Sequence, residues 1–214
     1  MISSEPPRDC GRCPRLVAYR QANRAAEPGW FNAPVPSFGP VDAALLIVGL
    51  APGRTGANRT GRPFTGDAAG ELLYATLLKL GFATGAYAAA PGDGLTLVGT
   101  RITNAVRCVP PENKPTPAEA TACRGYLQAT LAEMPRLRVI VALGRIAHDA
   151  VLRAKGLRAA ACPFAHGAIH ALDGVTLADS FHCSRYNTNT GKLTPAMFEA
   201  VFAEARRRID AMPA

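Results

Sequence analysis

Residues 43–56 read AALLIVGLAPGRTG. The run Ala43–Val48 is apolar at successive positions, so nothing separates an inward from an outward face. A strand built from it must be covered on both sides, as in a parallel sheet flanked by helices. Gly49 then opens a glycine-rich loop at the carboxyl edge of that strand, where open α/β sheets hold their ligands. A P-loop is excluded, because a lysine followed by Ser or Thr should come after the last glycine, and Ala57 and Asn58 stand there. The G-x-G-x-x-G dinucleotide fingerprint does not fit either, and no helix is expected before Ala68. The chain instead continues as ANRTGRPFTGD (57–67), which carries an aromatic, Phe64, and a carboxylate, Asp67, to the strand edge.

Outward from this strand, further strand regions are expected at 95–108 (LTLVGTRITNAVRC), 138–144 (RVIVALG) and 175–182 (VTLADSFH). Helices are expected over 14–27, over Ala68–Leu80 with Leu72, Leu73, Leu77 and Leu80 on one stripe, and from Arg145 through Val151 and Leu152. Thr116, Pro117 and Glu119 spell a capping box that opens another helix. Thr194-Pro195 opens the last, with Phe198, Val201, Phe202, Ala205 and Ile209 turned inward. Strands alternating with helices give an α/β fold with a mainly parallel central sheet and helices on both faces. At 214 residues the chain suits one domain, 1–214, with a proline-rich N-terminal excursion at about 8–40.

The formal charge is +8, carried mostly by arginine, which fits a polyanionic partner gripped through phosphates. An Ala-, Arg-, Gly- and Pro-rich composition would give the same charge without one. The opening MISSEPPRDC has no apolar stretch and no run approaches the ~20 residues of a membrane span, so a cytoplasmic monomer without membrane contact is expected. Six cysteines in such a chain argue against a disulfide framework. Cys10 and Cys13 form C-x-x-C, Cys108 closes a strand region, and Cys123 falls on the apolar stripe of the next helix. Four convergent thiols suit tetrahedral zinc or an iron–sulfur cluster, although buried cysteines without metal fit the spacing too. Cys162 and Cys183 stand outside this set.

Three loops should meet at the carboxyl ends of the strands: 49–67, 103–115 and 181–192. They bring Phe64, Asp67, Asn104 and His182 together, and no serine sits in a nucleophile elbow. The set suits a flat polar ring, with Phe64 stacking on its face and Asn104 and His182 meeting its edges. Enzymes that act on a nucleobase flip it into such a pocket. Each residue also has a structural reading: Phe64 as packing, Asp67 as the N-cap of the Ala68 helix, Asn104 and Asn113 as turn residues.

GLAPG (49–53), RTGRPFTGD (59–67), HCS (182–184) and the cysteines at 10, 13, 108 and 123 together resemble the family 5 (type B) uracil-DNA glycosylases of the uracil-DNA glycosylase superfamily. The likeness runs from Cys10 to the helix after Thr194. Related branches place an acidic residue in the first motif where this chain has Leu50 and Ala51, which throws the carboxylate role onto Asp67. The resemblance implies a 4Fe–4S cluster on Cys10, Cys13, Cys108 and Cys123, and DNA containing uracil or other deaminated bases as partner. It implies catalysis by Asp67 and His182, and substrate binding by Phe64, Asn104, Gly49, Ala51, Gly53 and Asn113. It also implies entry of CSRYNTNTGK (183–192) into the minor groove, with Ser184, Arg185 and Asn187 touching phosphate and groove. The chemistry agrees, since breaking the bond between base and C1′ leaves positive charge on the sugar and negative charge on the base. His182 can donate to the base O2 while Asp67 steadies the sugar and orients water. Neither Lys114 nor Lys192 falls on a nucleophile position, so no Schiff-base step is expected. Two other classes stand beside this one: an iron–sulfur redox or electron-transfer protein, and a non-catalytic nucleic-acid-binding module. Base release from uracil-containing DNA separates the first from both.

Overall fold

In the computed structural model, which describes residues 3–211, the opening stretch becomes β1 (Leu45–Gly49), buried at all five positions. It pairs in parallel with β4 (Thr100–Asn104) on one side and β5 (Val139–Leu143) on the other. β7 (Val175–Ser180) continues in parallel from β5, and β6 (Ile169–Leu172) closes that edge antiparallel, giving the order β4-β1-β5-β7-β6. The register sets Gly49 beside Asn104 and Leu143 beside Ser180, so the first and second loops leave the sheet together and His182 emerges two residues past β7. Met1, Ile2 and residues 212–214 of the expected 1–214 domain lie outside the described residues.

Both faces of the sheet are covered. Leu45, Ile47, Val139 and Val141 pack against Leu73 and Leu77 of α3 (Ala68–Lys79) and Phe198 and Phe202 of α7 (Pro195–Ala211). Leu46, Val48, Ile140 and Ala142 pack against Leu127 of α4 (Pro117–Glu133) and Val151 and Leu152 of α5 (Arg145–Ala154). Burying each such aliphatic side chain contributes about 1.5–3 kcal/mol, so both faces select apolar residues and the sequence loses its alternation. The capping box forms as spelled: Thr116 accepts from the Glu119 amide, and the Glu119 carboxylate accepts from the Thr116 amide. The Glu119 carboxylate also pairs bidentately with Arg15 of α1 (Pro14–Ala26), which fastens α1 to α4.

The proline-rich excursion is ordered. Phe38 makes a single antiparallel bridge to Ile102 on the outer edge of β4, and the Val35 amide donates to the Arg107 carbonyl. Arg107 is fully buried and its guanidinium donates to Val35 O, Ser4 O, Glu5 Oε2 and Ser37 Oγ.

Four details depart from the sequence reading. A one-turn helix, α2 (Ala57–Thr60), lies inside the first loop, bounded by Gly56 and Gly61, where none was expected before Ala68. The region 95–108 divides: β3 (Thr96–Leu97) pairs with β2 (Ala83–Thr84) in a separate ribbon, and β4 stops at Asn104, so Cys108 lies in the following loop instead of ending a strand. The last core strand stops at Ser180, short of Phe181 and His182. The polar stretch after His182 contains α6 (Arg185–Asn189), capped by Ser184. Among the described residues no helix is long and apolar enough to cross a membrane.

Candidate active site

The three loops close around a cleft of about 670 Å³, inside the ~300–1,000 Å³ usual for small-ligand sites. Phe64, Asp67, Asn104, Asn113, His182, Ser184, Arg185, Ala51 and Gly53 all line it. Gly49 does not line it but lies against the side chains of Asn104 and Phe64, where a Cβ would come 2.4 Å from Asn104 Oδ1 and 2.6 Å from Phe64 Cζ. Asn187 faces elsewhere: its Nδ2 donates to the His182 carbonyl at 2.8 Å, which couples α6 to the histidine.

Phe64 reaches this position with φ +52°, a left-handed backbone that costs a bulky residue about 1–3 kcal/mol. Neighbouring groups hold it there. Tyr74 OH donates to the Pro63 carbonyl at 2.7 Å and Tyr87 OH to the Phe64 carbonyl at 3.3 Å. Beneath them Arg62 makes a bidentate pair with Asp93 and stacks over the rings of Phe38, Tyr74 and Tyr87. The Arg62 guanidinium holds the Asp93 carboxyl well below the usual carboxylate range. Sequence reasoning missed this support because Asp93 is 31 residues from Arg62 and no local pattern joins them. It also missed Thr55 and Ala57 as lining residues, which the unexpected turn α2 brings to the cleft.

Asp67 has two tasks open to it. Oδ1 accepts from the Ala69 and Gly70 amides at 3.2 and 3.3 Å and caps α3. Oδ2 packs over the backbone of Gly53 and Gly56, where a Cβ would come within 3.0 and 2.3 Å. Asn104 is buried, and its Oδ1 has no hydrogen-bond partner among the described residues. A buried acceptor left so costs about 1–3 kcal/mol until a ligand supplies a donor. The His182 ring lies 6.0 Å from that of Phe64 at a 30° tilt, and Gly144 lies beneath its Cβ. Burial holds His182 below the ordinary histidine pKa, with the Asp67 charge opposing in part, which favours the neutral imidazole.

Cys10, Cys13, Cys108 and Cys123 line a second pocket together with Leu16, Val106, Tyr126, Arg12, Arg20 and Arg107. Burial pushes Cys108 up to about 12 and Cys123 up to about 11, and raises Cys13 as well. Arg20 Nη1 donates to Cys108 Sγ at 3.6 Å and the Arg107 amide to Cys123 Sγ at 3.4 Å. Cys10 Sγ lies 3.5 Å from Tyr126 OH, and four thiols gathered in one pocket form a donor set for a group that replaces protons and brings negative charge to sulfur. Cys162 and Cys183 lie outside this pocket; Cys183 is buried in the main core and donates to the Ala69 carbonyl.

The family model of the Uracil DNA glycosylase superfamily matches residues 36–206. The chain is similar to the Type-5 uracil-DNA glycosylase of Thermus thermophilus, with 51% identity over 205 residues covering 92% of this chain and 93% of that protein. It is similar to the Type-5 uracil-DNA glycosylase of Pyrobaculum aerophilum at 41% over 201 residues, covering 92% and 88%. A Type-4 uracil-DNA glycosylase of Pyrobaculum aerophilum is 36% identical over 153 residues, covering 71% and 64%.

Proposed function

The chain belongs to the uracil-DNA glycosylase superfamily, and from that premise we propose that it is a monofunctional DNA-repair glycosylase, acting as a single-domain cytoplasmic monomer. It flips uracil, or another deaminated base, out of DNA and hydrolyses the N-glycosidic bond to leave an abasic site. The observation that carries this reading is the unpartnered Oδ1 of buried Asn104 beside the Phe64 ring. The N3–H of uracil supplies the missing donor, and the Asn104 amide N–H can donate to O4. Cytosine would set its N3 lone pair against Oδ1, and sites built on such pairing reject the mismatched edge by as much as about 10⁴-fold.

With the base held, His182 donates to O2 as negative charge gathers there, and a preorganised neutral donor of this kind is worth roughly 3–4 kcal/mol. Asp67 Oδ2 faces the sugar cation and orients the attacking water, while Phe64 supplies a stacking face. Asn113 lies at the cleft mouth, left-handed at φ +57°, where it can reach the same water. Cys10, Cys13, Cys108 and Cys123 would hold the 4Fe–4S cluster, whose ligation there staples the N-terminal segment to α4 and the loop after β4. Arg12, Arg20 and Arg107 would balance its charge. Single-turnover incubation with duplexes carrying one uracil, hypoxanthine or xanthine, followed by alkali cleavage, tests the assignment. Intact strands from the uracil duplex would refute it, and a reversible redox couple in a protein without base release would favour the electron-transfer class.

Two expected results follow from the geometry. Gly49→Ala should reduce uracil release by at least about 10²-fold with the fold retained, because the new methyl displaces Asn104 and Phe64 from positions where ångström-scale errors cost that much; a rate near wild type would show that Asn104 and Phe64 can shift without cost. Arg185 is exposed at the cleft rim, so Arg185→Ala should weaken binding to an abasic-site duplex and flatten the dependence of log affinity on log salt by about one unit. An unchanged slope would leave it a solvated charge.

A further inference from the structure

Behind the cleft, β7 buries a second polar cluster that glycosylase chemistry does not use. Asp179 is fully buried and lies between two imidazoles, with Oδ1 2.7 Å from His148 Nδ1 and Oδ2 3.1 Å from His170 Nε2. The three residues come from α5, β6 and β7, and none of them lines the cleft. His148 Nε2 lies 2.8 Å from the Cys162 carbonyl, which can only accept, so this nitrogen carries a proton and Nδ1 is left to face Asp179. One proton, shared between Nδ1 and Oδ1, then accounts for the shortest contact of the cluster.

We propose that His148 Nδ1, His170 Nε2 and a carboxylate oxygen of Asp179 form a binding site for a divalent metal ion of the zinc class. The three ligand atoms lie within 4.8 Å of one another. Two imidazoles and a carboxylate are a donor set that zinc accepts. The outer nitrogen of His148 is already fixed by a carbonyl, the arrangement that orients metal-bound histidines. Bonds of 2.0–2.1 Å in a tetrahedral shell place ligands roughly 3.3 Å apart. The 3.1 Å His170–Asp179 contact is near that span; the 2.7 Å His148–Asp179 contact, made to the other carboxylate oxygen, must open to it, and the two histidine nitrogens, within 4.8 Å of each other, must settle at it. The balance closes simply. The ion replaces the proton shared by His148 and Asp179, His170 moves its own proton from Nε2 to Nδ1, and one proton leaves per ion bound. The cluster passes from neutral to a single positive charge, so no bare dication is buried. The bound ion would clip α5 and β6 to β7, three residues upstream of His182.

The test titrates the full purified chain, its cysteine pocket loaded as isolated, with zinc chloride and separately with cobalt(II). The expected result is one equivalent bound, about one proton released per ion and affinity rising about tenfold per pH unit. The cobalt spectrum should lack sulfur-to-metal charge transfer. His148→Gln and His170→Gln should each abolish uptake, and Cys162→Ser should retain it. His170 lies on the edge strand and is partly exposed, so His170→Gln keeps the test readable if His148→Gln fails to fold. Wild-type protein that binds no more ion than His170→Gln, or a cobalt spectrum carrying thiolate bands, would overturn the proposal.

Discussion

Asp67→Asn should slow single-turnover uracil release by on the order of 10²- to 10³-fold, the scale of losing one preorganised electrostatic group, while duplex affinity and thermal stability stay close to wild type. Stability is spared because asparagine caps a helix about as well as aspartate, and the contacts of Oδ1 with the Ala69 and Gly70 amides survive the exchange. Activity is not spared, because the group over Gly53 and Gly56 becomes an uncharged amide that cannot answer the sugar cation. The loss should fall on the chemical step, since the interaction strengthens only as charge develops. His182→Ala should show a similar deficit that shrinks with 5-fluorouracil, whose anion leaves more easily, whereas Asp67→Asn should gain nothing from that base. Wild-type rates in Asp67→Asn would reduce the residue to a helix cap.

If the proposed cluster sits on the four cysteines, purified protein should be brown and contain iron, and Cys123→Ser should lose both and melt about 8–20 °C lower. Cys10 and Cys123 enclose a loop of more than a hundred residues. Opening a closure of that length frees roughly 4–5 kcal/mol of chain entropy in the account used for disulfides. At ~2–4 °C per kcal/mol for a chain of this size, that gives the stated shift. Cys162→Ser and Cys183→Ser lie outside the pocket and should leave the iron content unchanged. Zinc without iron in the wild-type protein would remove the cluster from the account.

The sheet was legible because burial on two faces leaves an unmistakable mark: residues 43–48 and 138–144 have no alternation to misread. The capping box at Thr116 was legible because both partners lie within three residues. The cleft was legible through the rule that strand ends gather loops, which brought Phe64, Asp67, Asn104 and His182 together. What escaped depends on distant partners. α2 has four residues and no apolar period, and Asn58 holds it by bonding to Asn32. The break in 95–108 comes from Gly99, whose carbonyl takes both the Ala44 and Leu45 amides and ends the ribbon before β4 begins. α6 is too short and polar to show a stripe. His148 and His170 lay outside the three loops and drew no functional reading, since only the folded sheet brings them to Asp179.

The N-terminal wrap has a consequence for biosynthesis. Phe38 docks on Ile102, Arg15 on Glu119, and Ser4 and Glu5 on Arg107. A ribosome adding ~5–20 residues per second therefore completes Phe38 roughly 3–13 s before the strand that receives it. Throughout that interval the leading segment is open to proteases and to competing thiol chemistry at Cys10 and Cys13. Its scarcity of apolar runs keeps it from collapsing on itself while it waits. The part of the chain made first thus waits for partners that follow it by about sixty to a hundred residues.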